Sequence, residues 1–152
     1  MKTTFAAATT AAIAFFAVPV FADAHAASGD AEAGAAVFAK QCVACHVVVD
    51  GDGETLAGRK ARTGPNLYNV AGAQAGIVEG FRYGKSIVAA GADQDLAWTE
   101  ANFVGYVQDP TGFLKEFTGD RKARGKMSFK VRKEEDAINV YAYLASLAPA
   151  AE

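Results

Sequence analysis

The sequence predicts an all-α fold made of short helices joined by long loops. Apolar residues recur at helical spacing in three segments, and no stretch shows the sustained alternation of a strand. Glycine-rich connections separate these segments. Three or four short helices bury only a modest core for one domain, which indicates that another group fills the middle of the protein.

The first predicted helix follows Asp30, a favourable N-cap, and carries a narrow apolar seam over residues 33–41. A glycine inside a helix costs roughly 1 kcal/mol, so Gly34 predicts that another helix approaches closely there. Residues 47–63 are rich in glycine and aspartate and are expected to form a loop. A turn is expected at the Gly-Pro-Asn sequence over 64–66.

The second half of the chain carries the clearer helical signals. Residues 76–95 are expected to be mostly irregular, with a short helix over Ser86–Ala90. Thr99 caps a helix that Asp109-Pro110 ends, and Thr111 caps a shorter helix over Gly112–Phe117. A basic loop then leads to a last helix, about Glu134–Leu147, with apolar residues at i, i+3, i+4 and i+7 spacing.

The N-terminal segment resembles a secretory signal peptide rather than part of the fold. Lys2 precedes an uncharged run over Phe5–Phe21, and small residues then offer cleavage after Ala22 or Ala26. Residues 1–26 are therefore assigned to a signal peptide and 27–152 to one domain in the periplasm. An uncleaved anchor helix is the alternative. The net charge of −2 gives no indication of nucleic-acid binding.

The sequence CVACH over 42–46 has the spacing of covalent haem attachment. Two thiols three residues apart lie on one side of a turn and can reach the two vinyl groups of a haem. The adjacent His46 then directs its imidazole to the iron. Other uses of Cys42 and Cys45 are a thioredoxin-like pair, a zinc site completed by carboxylates, or a disulfide.

Met127 is the one methionine that follows the initiator, and it lies in the charged segment RGKMSFK. Core packing is the ordinary use of methionine. A loop position beside Gly125 instead favours a role as the second axial ligand, opposite His46. Such ligation raises the reduction potential and closes the iron to other ligands, which favours electron transfer over catalysis. A haem peroxidase or gas-binding protein would need an open iron.

With these motifs in place, the chain resembles the class I c-type cytochromes, and within them the bacterial cytochrome c2 group. The resemblance covers about residues 29–147. It is carried by GDAEAG before CVACH, then TGPNLYNVAG, LAWTEANFVGYVQDPTGFLKEFTGD and GKMSFK with VYAYL, in the order of the family. It implies the cytochrome c fold around one covalent haem c.

The resemblance also implies roles for individual residues. The Pro65 carbonyl would accept from the ring of His46, and Tyr83 and Trp98 would donate to a haem propionate. Tyr106 would lie near the methionine sulfur, and Phe129 beside the haem edge. The first and last helices would cross, with Gly34 and Phe38 on Val140 and Tyr143.

Two positions depart from the family pattern. Ala73 stands where relatives commonly carry an arginine that faces a propionate, and Arg82 is the candidate substitute. Gly125 stands where mitochondrial-type relatives carry threonine. Both positions concern the propionates, and so the reduction potential.

A concentration of basic residues brackets the expected methionine ligand. A cationic ring at the haem edge would steer the protein to acidic partners with high association rates. The residues expected to face a partner are Lys40, Lys122, Arg124, Lys126, Lys130 and Lys133.

The resemblance implies a soluble, monomeric electron carrier that is not itself an enzyme. It would carry electrons from a cytochrome bc1 complex to a photosynthetic reaction centre, a terminal oxidase or a periplasmic reductase. No stable membrane insertion is expected. A haem-bearing subunit of a larger complex is the remaining alternative.

Overall fold

A computed structural model of the protein describes residues 27–148, which contain five α-helices and one two-stranded sheet. The elements in chain order are α1 Ala31–Gln41, β1 Val47–Val49, β2 Thr55–Gly58, α2 Lys85–Gln94, α3 Glu100–Gln108, α4 Pro110–Thr118 and α5 Glu134–Ser146. The expected signal peptide, residues 1–26, lies outside the described residues. Within the described residues, no helix has the length and apolar character needed to cross a membrane.

Helices α1, α3 and α5 form where the sequence predicts them. The Asp30 carboxylate accepts from the backbone N–H groups of Glu32 and Ala33 at 2.8 and 3.0 Å, which begins α1. The Thr99 hydroxyl accepts from the N–H of Asn102 at 3.3 Å, which begins α3. These side chains satisfy donors that have no partner inside the helix.

The crossing of α1 over α5 is confirmed, and it requires glycine. A Cβ on Gly34 would overlap the Asn139 backbone and would lie 2.8 Å from the Cβ of Tyr143. Phe38, 1% exposed, places its ring centroid 5.6 Å from that of Tyr143. The glycine therefore contacts Asn139 and Tyr143, beside the Val140 that the resemblance implied.

The expectation of a loop over 47–63, with no strand, is wrong. Strands β1 and β2 pair antiparallel with Val48 opposite Ala57. The turn between them is stabilised by Asp50, whose carboxylate accepts from the N–H groups of Asp52 and Glu54 at 3.0 and 2.8 Å. Three consecutive valines favour a strand, but three residues are too few to show an alternating pattern.

Two helix boundaries also differ from the prediction. α2 is longer than the expected Ser86–Ala90. α4 begins at Pro110 instead of Gly112, because the Asp109 carboxylate accepts from the Gly112 N–H at 3.1 Å and serves as N-cap in place of Thr111. Proline suits the first helical position because its missing N–H would have no partner there.

Backbone pairing between two irregular segments places Trp98 in the core. The Trp98 N–H donates to the Ala73 carbonyl at 2.8 Å, and the Trp98 carbonyl accepts from Gly72 at 2.9 Å. The hydroxyl of buried Tyr141, on α5, donates to the same Trp98 carbonyl at 3.1 Å. The indole is thus fixed between the loop after residue 70 and the crossing helices.

Candidate haem site

The two cysteines and the histidine leave the end of α1 in one continuous turn. Cys42 is the C-cap of that helix, and its carbonyl accepts from the N–H groups of Cys45 and His46 at 3.1 and 2.9 Å. Both thiols are free and half-buried. Burial, followed by the charge of Cys45, raises the pKa of Cys42 to about 11. The turn therefore carries two thiols and one imidazole within five consecutive residues.

The ring of His46 is held in a defined orientation. Its Nδ1 lies 3.0 Å from the Pro65 carbonyl, which fixes the proton on Nδ1 and leaves Nε2 as the free lone pair. Burial lowers the pKa of His46, against the opposing effect of the hydrogen bond to Pro65. A neutral imidazole with a fixed Nε2 is the form that coordinates a metal ion.

Gly64 packs directly against that imidazole. A Cβ on Gly64 would overlap ring atoms of His46, and the Gly64 N–H donates to the Cys45 carbonyl at 2.7 Å. Two adjacent residues therefore hold the His46 ring: Gly64 allows the backbone to pack against it, and the Pro65 carbonyl accepts its hydrogen bond. Sequence reasoning missed Gly64, although its place before Pro65 was a signal.

Three of the expected pocket aromatics come together on the structure. The rings of Trp98 and Tyr106, 8% and 9% exposed, meet edge-on with centroids 5.0 Å apart. Burial, followed by the charge of nearby Tyr83, raises the pKa of Tyr106 to about 12. Burial also raises the pKa of Tyr83, against a backbone hydrogen bond with Val78. These phenols therefore remain protonated donors at neutral pH.

Met127 is half-buried and packs against the apolar core, whereas Phe129 two residues later is 46% exposed. The segment thus directs one apolar side chain inward and the next toward solvent. Neighbouring Gly125 lies against α4, where a Cβ would be 2.9 Å from that of Pro110. This close contact explains why glycine is required at position 125, independently of the propionates.

A cavity of about 770 Å³ opens between the end of α1 and the segment after Met127. Gln41, which precedes Cys42, borders it on one side, and Ser128 and Phe129 border it on the other. The Gln41 side chain donates to the Asp136 carboxylate at 3.3 Å across its rim. The remaining lining residues are Gln108, Lys130, Val131, Arg132 and Lys133.

The side chains present fit a covalently attached haem. The thiol pair can form thioethers, the oriented His46 imidazole can ligate iron, and apolar and aromatic groups surround them. The hydrogen bond from the imidazole to Pro65 is the kind of outer contact that fixes a metal-ligating histidine. Cys42, Cys45 and His46 would hold the group.

All six basic residues expected to face a partner are exposed, but their surroundings differ. Lys130 and Lys133 border the cavity, where Arg132 joins them. The Lys126 ammonium donates to the Arg82 carbonyl at 2.6 Å, and Lys130 pairs with Asp109 at 2.9 Å. The other three are Lys40, Lys122 and Arg124. Arg132 was not among the expected docking residues, because sequence alone does not show which cations share an edge.

Comparison with known proteins gives a consistent assignment. The model of the Cytochrome c family matches residues 31–148. The chain is 62% identical to cytochrome c2 of Rhodovulum adriaticum over 120 residues, and this alignment covers 79% of the chain and 94% of the relative. It is 45% identical over 147 residues to cytochrome c2 of Rhodobacter capsulatus, which spans 97% and 98%.

Solved structures agree with the sequence matches. Cytochrome c2 from Rhodobacter sphaeroides superposes with a TM-score of 0.76 at 58% identity, over 78% of this chain and 96% of that one. Cytochrome c-550 from Paracoccus versutus gives a TM-score of 0.73 at 42% identity, over 80% and 100%. The expected cytochrome c fold is therefore confirmed. The chain belongs to the class I c-type cytochromes of the cytochrome c2 group, and it binds one haem c covalently at the Cys42–Cys45 pair.

Proposed function

We propose that this electron-transfer cytochrome is a soluble periplasmic carrier in which His46 and Met127 are the axial ligands of the haem iron. The ordered His46 ring and the half-buried, inward side chain of Met127 support this pair. The bound haem supplies one-electron exchange between the ferric and ferrous states. Thioether ligation raises the reduction potential.

In this proposal the cluster of Tyr83, Trp98 and Tyr106 lines the haem pocket. Tyr83 and Trp98 would donate to a propionate, and Tyr106 would lie beside the methionine sulfur. The packing of Tyr106 against Trp98, with Tyr83 nearby, places these three side chains in one cluster. Ala73 pairs with Trp98 through the backbone, so the position without arginine is adjacent to the indole. Arg82 would supply the cation that Ala73 lacks. Burial of the phenols and the indole excludes water from one side of the group.

The exposed edge of the haem would face a partner at the cavity. The single observation that carries this proposal is that residues flanking both Cys42 and Met127 border the same opening as three cations. Phe129 borders that opening and would be the aromatic side chain beside the haem edge. Partners with acidic docking sites would be attracted from a distance and released quickly.

The proposed partners follow the cytochrome c2 assignment. A cytochrome bc1 complex reduces the protein, and a photosynthetic reaction centre, a terminal oxidase or a periplasmic reductase oxidises it. The carrier acts as a monomer, catalyses no reaction of its own and binds no nucleic acid. An iron with two protein ligands leaves no open position for a substrate.

The docking proposal is tested by rapid mixing of the ferric holoprotein with reduced bc1 complex at increasing salt. Lys130→Gln and Lys133→Gln should each slow reduction a few-fold at low salt, because each removes attraction at the cavity. Lys60→Gln is the matched control, since Lys60 does not border the cavity. Equal slowing by all three variants would contradict the assigned face.

Two further measurements address the class and the location. Carbon monoxide binding by the native ferrous protein at neutral pH would contradict a closed iron and favour a gas-binding protein or peroxidase. Mass spectrometry of the periplasmic protein should give an N-terminus at residue 23 or 27. Retention of residues 1–22 would instead favour an anchored haem subunit.

A further inference from the structure

The segment before Met127 is held by side-chain hydroxyls from two different helices. The N–H of Arg124 donates to Ser86 Oγ on α2 at 3.0 Å. The N–H of the next residue, Gly125, donates to Thr111 Oγ1 on α4 at 3.1 Å. Each hydroxyl lies in the first turn of its helix, so the two acceptors are placed by rigid elements rather than by the loop itself.

Close packing reinforces these hydrogen bonds. Gly125 lies so near Pro110 that a Cβ would be 3.1 Å from the Pro110 carbonyl carbon. Lys126 lies along Gly84, and its ammonium reaches the Arg82 carbonyl. The chain on the N-terminal side of Met127 is thus attached at three consecutive residues.

The C-terminal side is attached differently. The Val131 N–H donates to the Val107 carbonyl on α3 at 2.9 Å, and Lys130 pairs with Asp109. Both members of that ion pair are about half exposed, so it stabilises little. The two hydroxyl contacts, of which that of Ser86 is exposed and that of Thr111 is partly buried, can each be removed by a single conservative substitution.

We infer that Ser86 and Thr111 are positioning residues that hold the Met127 segment against the iron and limit its opening to other ligands. The inference rests on the proposed axial role of Met127. Opening the segment frees the N–H groups of Arg124 and Gly125, so each lost hydroxyl lowers the cost of opening. The net free energy contributed by one hydrogen bond predicts that the population of the open form rises about two- to tenfold.

The test is an imidazole titration of the ferric holoprotein at neutral pH. Imidazole replaces the methionine only in the open form, so its apparent affinity reports the population of that form. Ser86→Ala and Thr111→Val should each bind imidazole about two- to tenfold more tightly. Thr111→Ser keeps the hydroxyl and should restore the wild-type affinity. Ser146→Ala, which removes a hydroxyl bonded to the Tyr143 carbonyl at 2.7 Å, should leave it unchanged.

Hydrogen exchange of the Arg124 and Gly125 amides is measured in the same variants. Faster exchange together with tighter imidazole binding supports the inference. Unchanged imidazole affinity overturns it, whether or not exchange accelerates, because the hydroxyls would then be structural only.

The axial assignment is checked independently on the wild-type protein and on Met127→Ala. If the wild-type ferric spectrum lacks the methionine-to-iron charge-transfer band, or if Met127→Ala retains it, the proposed axial role fails. The positioning role of Ser86 and Thr111 then fails as well, but because Met127 is not a ligand and not because the imidazole affinity is unchanged.

Discussion

Gly64→Ala should perturb the His46 side of the haem site more than any change of one methyl group elsewhere on that loop. A Cβ there would lie 2.7 Å from Nε2 of His46, whereas ordinary contact begins at 3.4 Å. The ring cannot retreat without stretching its 3.0 Å contact to Pro65, and the backbone cannot move without losing the Gly64–Cys45 hydrogen bond.

The expected cost combines two contributions. Overpacking a well-packed site costs about 1–3 kcal/mol, and a weakened hydrogen bond adds about 0.5–1.5 kcal/mol. No favourable left-handed conformation is lost, since φ at Gly64 is not in that region. A loss of about 1.5–4.5 kcal/mol leaves the domain folded and lowers Tm by roughly 10 °C.

Thermal unfolding of the ferric holoprotein and a redox titration measure the effect. A longer His46–Pro65 hydrogen bond makes the imidazole a weaker donor to iron, so the reduction potential should rise. Gly51→Ala is the matched control, because a Cβ on Gly51 meets nothing within 4 Å. An unchanged Tm and an unchanged potential in Gly64→Ala would refute the packing argument.

Further predictions concern the crossing helices, one carboxylate and the docking face. Gly34→Ala should lower the free energy of unfolding by about 1–3 kcal/mol in urea titrations despite its gain in helix propensity, because it separates α1 from α5; stability equal to that of Gly51→Ala would contradict this. The hydrogen bond from Lys130, then that from Gly112, holds the pKa of Asp109 below its usual value of 3.8. The stability that Asp109 contributes is therefore fully present above pH 3.8 and is lost as the pH falls through the lowered pKa. Asp109→Asn should therefore reduce the loss of stability between neutral and acid pH in unfolding measurements. A loss of stability equal to that of the wild-type protein would count against the Asp109–Lys130 pair. Replacing Lys130 with Gln should weaken the salt dependence of reduction by bc1 complex, and a salt slope equal to wild type would argue against the cavity face.

The parts of the site that are fixed by spacing along the chain could be predicted from sequence. Cys42, Cys45 and His46 share one turn, so their relation needed no tertiary information. Gly34 indicated a helix crossing because glycine inside a helix is costly without a close neighbour. The structure confirms that crossing.

Features that depend on contacts across the chain could not be predicted in this way. The β1–β2 hairpin depends on Asp50 accepting from two backbone N–H groups, which no periodicity reveals. The hydroxyl of Ser86 meets Arg124 across 38 residues. Gly64 belongs to the turn predicted over 64–66, but its contact with the imidazole becomes visible only once the His46 ring lies over it.

The ferric absorption spectrum of Met127→Ala, recorded beside its reduction potential, tests the central claim most directly. Ligation by Met127 predicts that the methionine-to-iron charge-transfer band of the wild-type protein disappears, that the potential falls, and that the ferrous variant binds carbon monoxide. A variant with the wild-type spectrum and potential would contradict the axial pair of His46 and Met127, and with it the closed iron on which the electron-carrier proposal depends.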